Sequence, residues 1–259
     1  MAAALSEEFR HLQMLYCIRE KLPKLTPTEI DDSKVLNVVC YGPSLEDTWR
    51  EVKKPFITVS GAHDFMIERG MIPDYHTDMD PRKHKLKHIL KPHKDVTYLM
   101  ASVCNPFAWS LLKGFNLKTW HVVSGKHTKN FIAVHDPGAM LVCGGSSVGL
   151  AAAHVGGVLG FRKFEIHGMD GCFKDGKRHS GKHYGHDQKE IDWMGWKTSK
   201  IMANANQEFL NMLNMFPFFA VVHGDGLLQD MVEKADLPNA ARAGTEKAAA
   251  VLNGTVTSV

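Results

Sequence analysis

At 259 residues, with 44% hydrophobic and 23% charged residues, the chain has the material for one large α/β domain with a sizeable core. A net charge of +3 gives no argument for nucleic acid as a partner, and no apolar run reaches the roughly 20 residues that span a bilayer. The five cysteines lack a CxxC pair and several sit in apolar runs, while the N-terminus is acidic early and has no continuous apolar segment, so the expected location is a reducing cytoplasm.

Ser6 opens a capped amphipathic helix in which Phe9, Leu12, Leu15 and Ile18 recur at helical spacing. Residues 1–32 therefore read as a helical segment, packed on the main domain or on a second copy in a homo-oligomer. A buried strand over 35–40 runs into the turn Tyr41-Gly42-Pro43-Ser44, where Ser44 is placed to cap the next helix. Further strands are predicted over 56–60, 75–80, 96–103 and 118–123, mostly separated by short helices.

The stretch 139–170 organises the rest. A strand over 140–143 ends in Gly144, Gly145, Ser146 and Ser147; a helix of small residues follows over about 148–159, with Gly160 as its C-terminal stop. A strand around Phe164 and Ile166 then stops at Gly168-Met169-Asp170. This is the crossover unit of a parallel sheet. A loop over 171–187, a helix over 193–215 and a strand over 218–223 complete the pattern. The whole predicts an α/β, Rossmann-like, open and mostly parallel sheet over 33–230 with helices on both faces, followed by a tail over 231–259 that holds one short helix.

Ligands of such sheets bind beyond the carboxyl ends of the strands. Gly42, Pro43, Ser44, Ser60, Gly145, Ser146, Ser147, Asp170 and the segment from His223 all fall there. The turn before the small-residue helix offers backbone N–H groups and two hydroxyls to an anion such as phosphate. The blander role of its small residues is to let the helix lie close to the sheet. Asp78 and Asp80 share a face if their strand continues that far, and can then hold Mg²⁺ beside a diphosphate or position hydroxyls. The alternative is a capping residue before a proline turn, with Arg82 pairing to it or meeting a phosphate. His179, His183 and His186 crowd a glycine-containing loop that serves acid–base chemistry or is merely solvated; no standard zinc spacing is completed.

Taken together, GPSL at 42–45, PDYHTDMDPR at 73–82, the run from Gly145 to Asp170 and GDGLL at 224–228 resemble a known family in order and spacing. It is the group containing bacterial motility accessory factors and archaeal 6-hydroxymethylpterin diphosphokinases, similar in layout to bacterial sialyltransferases that use CMP-sialic acid. The resemblance implies a nucleotide site at Gly42, Pro43, Ser44, Ser60 and Gly145 to Ser147, and His186 as general base with His183 as its rival. Tyr41 stands where the sialyltransferases carry Asn, and the histidine loop is one residue shorter between Tyr184 and Gly185. The implied activity is transfer from a CMP-linked nonulosonate to a hydroxyl acceptor. One alternative is diphosphate transfer from ATP to a hydroxymethylpterin, with Mg²⁺ at Asp78 and Asp80; another is a nucleotide- or sugar-binding module without turnover.

Overall fold

The computed structural model describes residues 6–123, 126–181 and 188–253. Ser6 caps α1 (Glu7–Arg19), its hydroxyl accepting from the Phe9 amide at 3.2 Å. The chain then alternates through β1 (Val35–Val39), α2 (Leu45–Thr48), β2 (Phe56–Val59), α3 (Ala62–Ile67), β3 (Tyr75–Asp78), β4 (Thr97–Ala101), α4 (Phe107–Leu111), β5 (Asn116–Val123), α5 (Lys126–His135), β6 (Leu141–Cys143), α6 (Val148–Val158) and β7 (Lys163–His167). A hairpin of β8 (Ile191–Trp193) and β9 (Trp196–Thr198) leads to α7 (Lys200–Met215), β10 (Phe219–Val222), α8 (Leu227–Ala235), β11 (Ala240–Arg242) and α9 (Glu246–Asn253).

Nine of these strands form one sheet in the order β11-β10-β7-β1-β2-β3-β4-β5-β6, with every neighbouring pair parallel. From β1 the strands step outward in chain order to β6, and α6 then carries the chain back over β3, β2 and β1 to β7. Strand order reverses between β1 and β7, which is where an open parallel sheet leaves a crevice at its carboxyl edge. The fold is the predicted Rossmann-like α/β sheet flanked by helices.

Burial follows the alternation of strand side chains. Leu36 and Val38 of β1 enter the large core, and Val39 enters a smaller one with Leu45, Phe56, Phe65 and Met66. Glycines set how closely α6 approaches the sheet. A Cβ at Gly149 would lie 2.8 Å from the Cys40 sulfur, and one at Gly156 would lie 2.7 Å from Leu36 Cδ2. The small residues of α6 thus have a packing role whatever its N-terminus binds.

Several local expectations give way to better-satisfied alternatives. The strand predicted over 75–80 ends at Asp78, because the Asp80 amide turns back to donate to Asp78 Oδ1 at 2.8 Å. The helix predicted from 193 begins at Lys200, capped by Ser199; Met194 and Gly195 have φ of 53° and 81°, the tight turn of a hairpin. The segment after 230 carries a sheet strand, since β11 pairs with β10 and α9 lies against both. In α1 the buried residues are Gln13, Met14 and Cys17, whereas Phe9 and Leu12 are 42% and 63% exposed. Gln13 Nε2 donates to the Pro81 carbonyl at 3.0 Å and fixes α1 over the end of β3. All five cysteines are free thiols, four of them buried and Cys143 exposed. Among the described residues, no helix is long and apolar enough to cross a membrane.

Candidate functional site

A cleft of about 680 Å³ opens at the carboxyl edge of the sheet over the switch point. Its floor includes the turn after β1. There the Gly42 amide donates to the Gly168 carbonyl at 2.7 Å, and the Ser44 amide donates to Asp170 Oδ2 at 2.9 Å. A Cβ at Gly42 would fall 2.4 Å from the Gly168 oxygen, so only glycine permits this contact between the two strand ends. Asp170, 3% exposed, is the clamp that holds the turn in place. Burial raises its pKa, and the contacts with Ser44 oppose the shift. Ser44 does not cap α2 as expected: its backbone is already helical, its hydroxyl makes no cap bond, and its amide is taken by Asp170.

The second turn stands at the N-terminus of α6. Ser147 Oγ accepts from the Leu150 amide at 3.3 Å, which leaves its own proton free to donate. The Ser146 amide donates to Glu208 Oε2 of α7 at 2.7 Å, so a carboxylate already rests where the helix end attracts negative charge. Gly42, Pro43, Ser60, Ser146, Ser147, Asp80 and Asp170 all line the cleft, whereas Ser44, Gly145 and Asp78 stand behind that lining. His183 and His186 lie outside the described residues.

The lining also carries cations. Arg82 grips Asp80 through Nε to Oδ1 at 2.8 Å and Nη2 to Oδ2 at 2.5 Å, and Lys85 Nζ lies 3.7 Å from Asp80 Oδ2. Burial raises the Asp80 pKa, but Arg82 and Lys85 outweigh it and hold the carboxyl below its usual range. Arg10 from α1 and Arg178 line the same cleft. His179 also lines it, with Nδ1 3.2 Å from the Tyr41 carbonyl and its ring stacked 5.8 Å from that of Tyr41. Burial, reinforced by Arg178, lowers the His179 pKa to about 3, so it is neutral at pH 7. Sequence reading assigned no chemistry to Arg10, Lys85 or Asn206 of the lining; each sits on an element that carries no motif.

Two sets of residues invite a metal test. Asp78 is buried, with burial raising its pKa to about 6 and Lys85 opposing the rise. Its Oδ2 has no partner among the described residues, and it borders a space of about 10 Å³, room for one water. Asp80 lines the same small space, but its carboxylate is held by Arg82 and Lys85, which a cation shared with Asp78 would have to displace. Below the sheet, Glu165, His167 and His223 bring one donor atom each within 4.8 Å of the others. His223, however, spends Nδ1 on Glu51 at 3.0 Å and Nε2 on Glu165 at 2.8 Å. Its ring stacks on His167 at 4.0 Å and 21°, and ring planes so nearly parallel give the in-plane lone pairs no common point. That cluster is a hydrogen-bonded network.

These features define the class: an open parallel α/β sheet of Rossmann type with a cation-walled cleft at its switch point. Residues 10–176 match the family described as 6-hydroxymethylpterin diphosphokinase MptE-like, and the chain belongs to that family. No curated protein matches the chain by sequence. Among solved structures, the MAf glycosyltransferase from Magnetospirillum magneticum AMB-1 superimposes on 93% of this chain with a TM-score of 0.69 and 14% identity. The chain spans 39% of that protein's length, and at this identity the likeness is one of fold.

Proposed function

We propose that the chain is a nucleotide-dependent transferase whose donor phosphate lies between the Gly42-Pro43 turn and the N-terminus of α6. The observation that carries this reading is that two small-residue turns, at the ends of β1 and β6, line one cleft together with Arg82 and Lys85. The helix end and the Ser147 hydroxyl favour a phosphate, and the cations offset the charge that builds as it becomes a leaving group.

For the transferred group, the first reading is a glycosyl unit from a CMP-linked nonulosonate. The bond from the sugar carbon to the phosphate oxygen breaks, and an acceptor hydroxyl oxygen bonds to that carbon. The hydroxyl proton passes to a base, for which His186 is the first choice and His183 the alternative. The fold shared with the MAf glycosyltransferase supports glycosyl transfer as the type of reaction. The second reading, diphosphate transfer from ATP to a hydroxymethylpterin, is favoured by the family match. It calls on Mg²⁺ at Asp78 and Asp80, for which Asp80 must give up Arg82.

His186→Ala tests the first reading. Turnover should fall by roughly 10²–10⁴-fold with nucleotide affinity nearly unchanged, and His183→Ala should do less. Near-wild-type turnover in His186→Ala removes that residue as base. Metal-dependent formation of AMP from ATP and pterin replaces the glycosyl reading with the second one.

A further inference from the structure

Arg10 reaches the cleft from the N-terminal helix α1, and its position is built. One helical turn away, Gln13 is 3% exposed and donates to the Pro81 carbonyl, while Met14 and Cys17 are buried against the core. That docking brings Arg10 to the cleft, whose lining also includes Pro81 and Arg82. Arg82 and Lys85 there are already engaged with Asp80. Arg10 differs: it makes no ion pair among the described residues, and its Nε is buried without a hydrogen-bond partner. One N–H of this half-buried guanidinium is left without an acceptor, which a bound oxyanion would supply. Its planar fork suits an oxyanion, whether carboxylate or phosphate, better than a single hydroxyl.

We propose that Arg10, supported by Arg82 and Lys85, binds a second anionic group of the donor, distinct from the phosphate held between the two turns. This rests on the nucleotide reading above and sharpens it: the preferred donor carries two anionic groups. The second is either the carboxylate of an acidic sugar or the further phosphate of a diphosphate. In either case α1 is part of the binding site, and its attachment over β3 has a purpose beyond covering the core.

The test compares the wild type with Arg10→Met, which keeps most of the apolar stem, by titration calorimetry. The ligands are CMP, CDP, CMP-N-acetylneuraminate and inorganic pyrophosphate. Wild type should bind at least one doubly anionic ligand more tightly than CMP. Arg10→Met should weaken that ligand by about 10- to 100-fold and leave CMP within about threefold. A loss confined to CMP-N-acetylneuraminate identifies a carboxylate; a loss for CDP and pyrophosphate identifies a phosphate. Equal weakening of all ligands, or none, in a variant that melts like the wild type overturns the proposal. If Arg10→Met fails to fold, Arg10→Gln is judged by the same comparison. Pyrophosphate separates the two claims. Arg10-dependent pyrophosphate binding without any nucleotide binding rejects the nucleotide reading and keeps Arg10 as an anion site, and absence of both rejects both.

Discussion

Two polar clusters lie on the carboxyl half of this sheet, and they use their charges in opposite ways. Below the sheet, His223 is shared between Glu51 and Glu165, and His167 Nε2 lies 3.0 Å from Asn37 Oδ1. The charges of His223 and the two carboxylates answer one another there, while His167 Nδ1 has no partner among the described residues. In the cleft, Arg82 likewise pairs with Asp80 and Glu208 takes the Ser146 amide at the helix end, but Arg10 makes no ion pair and Asp170 Oδ1 has no hydrogen-bond partner among the described residues. Charges paired within a cluster stabilise a fold, whereas a charge left unpaired at a cleft is open to a ligand. Counting histidines and carboxylates would rank the first cluster higher. Asking which groups are already partnered reverses the order.

The largest effect that separates the clusters is expected from Ser147→Glu. A carboxylate at the cap of α6 adds bulk and a like charge where the donor phosphate should lie, so nucleotide binding measured by calorimetry should be abolished. Stability should fall only by the lost cap bond to Leu150, about 1 kcal/mol, so the variant stays folded for the measurement. Retained affinity in the folded variant would remove the α6 turn from the site.

The cluster below the sheet should respond in stability and leave binding alone. Burial lowers the His223 pKa, but Glu165 and Glu51 outweigh it and raise the group above its ordinary 6.5. The folded state therefore holds this proton more tightly than the unfolded chain. Its stabilisation is complete below pH 6.5 and is lost as the pH rises through the folded pKa. Glu165→Gln should cost about 1–3 kcal/mol at pH 6 in denaturant titrations and flatten the fall in stability above neutrality. Nucleotide affinity should stay within about twofold of wild type, a difference of roughly 0.4 kcal/mol. A large loss of affinity would join the two clusters into one site.

Much of the fold was legible because its signals are local. Apolar runs of Val, Ile and Leu mark the inner strands, and the Gly/Ser turn, small-residue helix and Gly160 mark the β6–α6–β7 crossover. The short outer elements gave little to read. Ala240 to Arg242 has no apolar period, and the Met194-Gly195 turn inside an otherwise helix-compatible stretch left the β8–β9 hairpin unseen. At the site, the glycines and serines of both turns were visible as residue types after strands. The roles of two residues were not. Ser44 sits where a cap belongs, yet its amide is claimed by Asp170, which is 126 residues away. Arg10 lies on a helix whose apolar spacing pointed to Phe9 and Leu12, and only the docking of Gln13 on Pro81 turns it toward the cleft. Partnering is a tertiary property, and spacing along one helix does not encode it.

Backbone amide chemical shifts followed by NMR during titration with CMP test the central claim most directly. The claim is that the incomplete cluster, between the β1 turn and the α6 N-terminus, is the nucleotide site. The amides of Gly42, Ser146 and Ser147 should shift together and saturate with one affinity, while those of Glu165, His167 and His223 move least. Saturable shifts centred on Glu165 and His223, with Gly42 and Ser147 unmoved, would contradict the account.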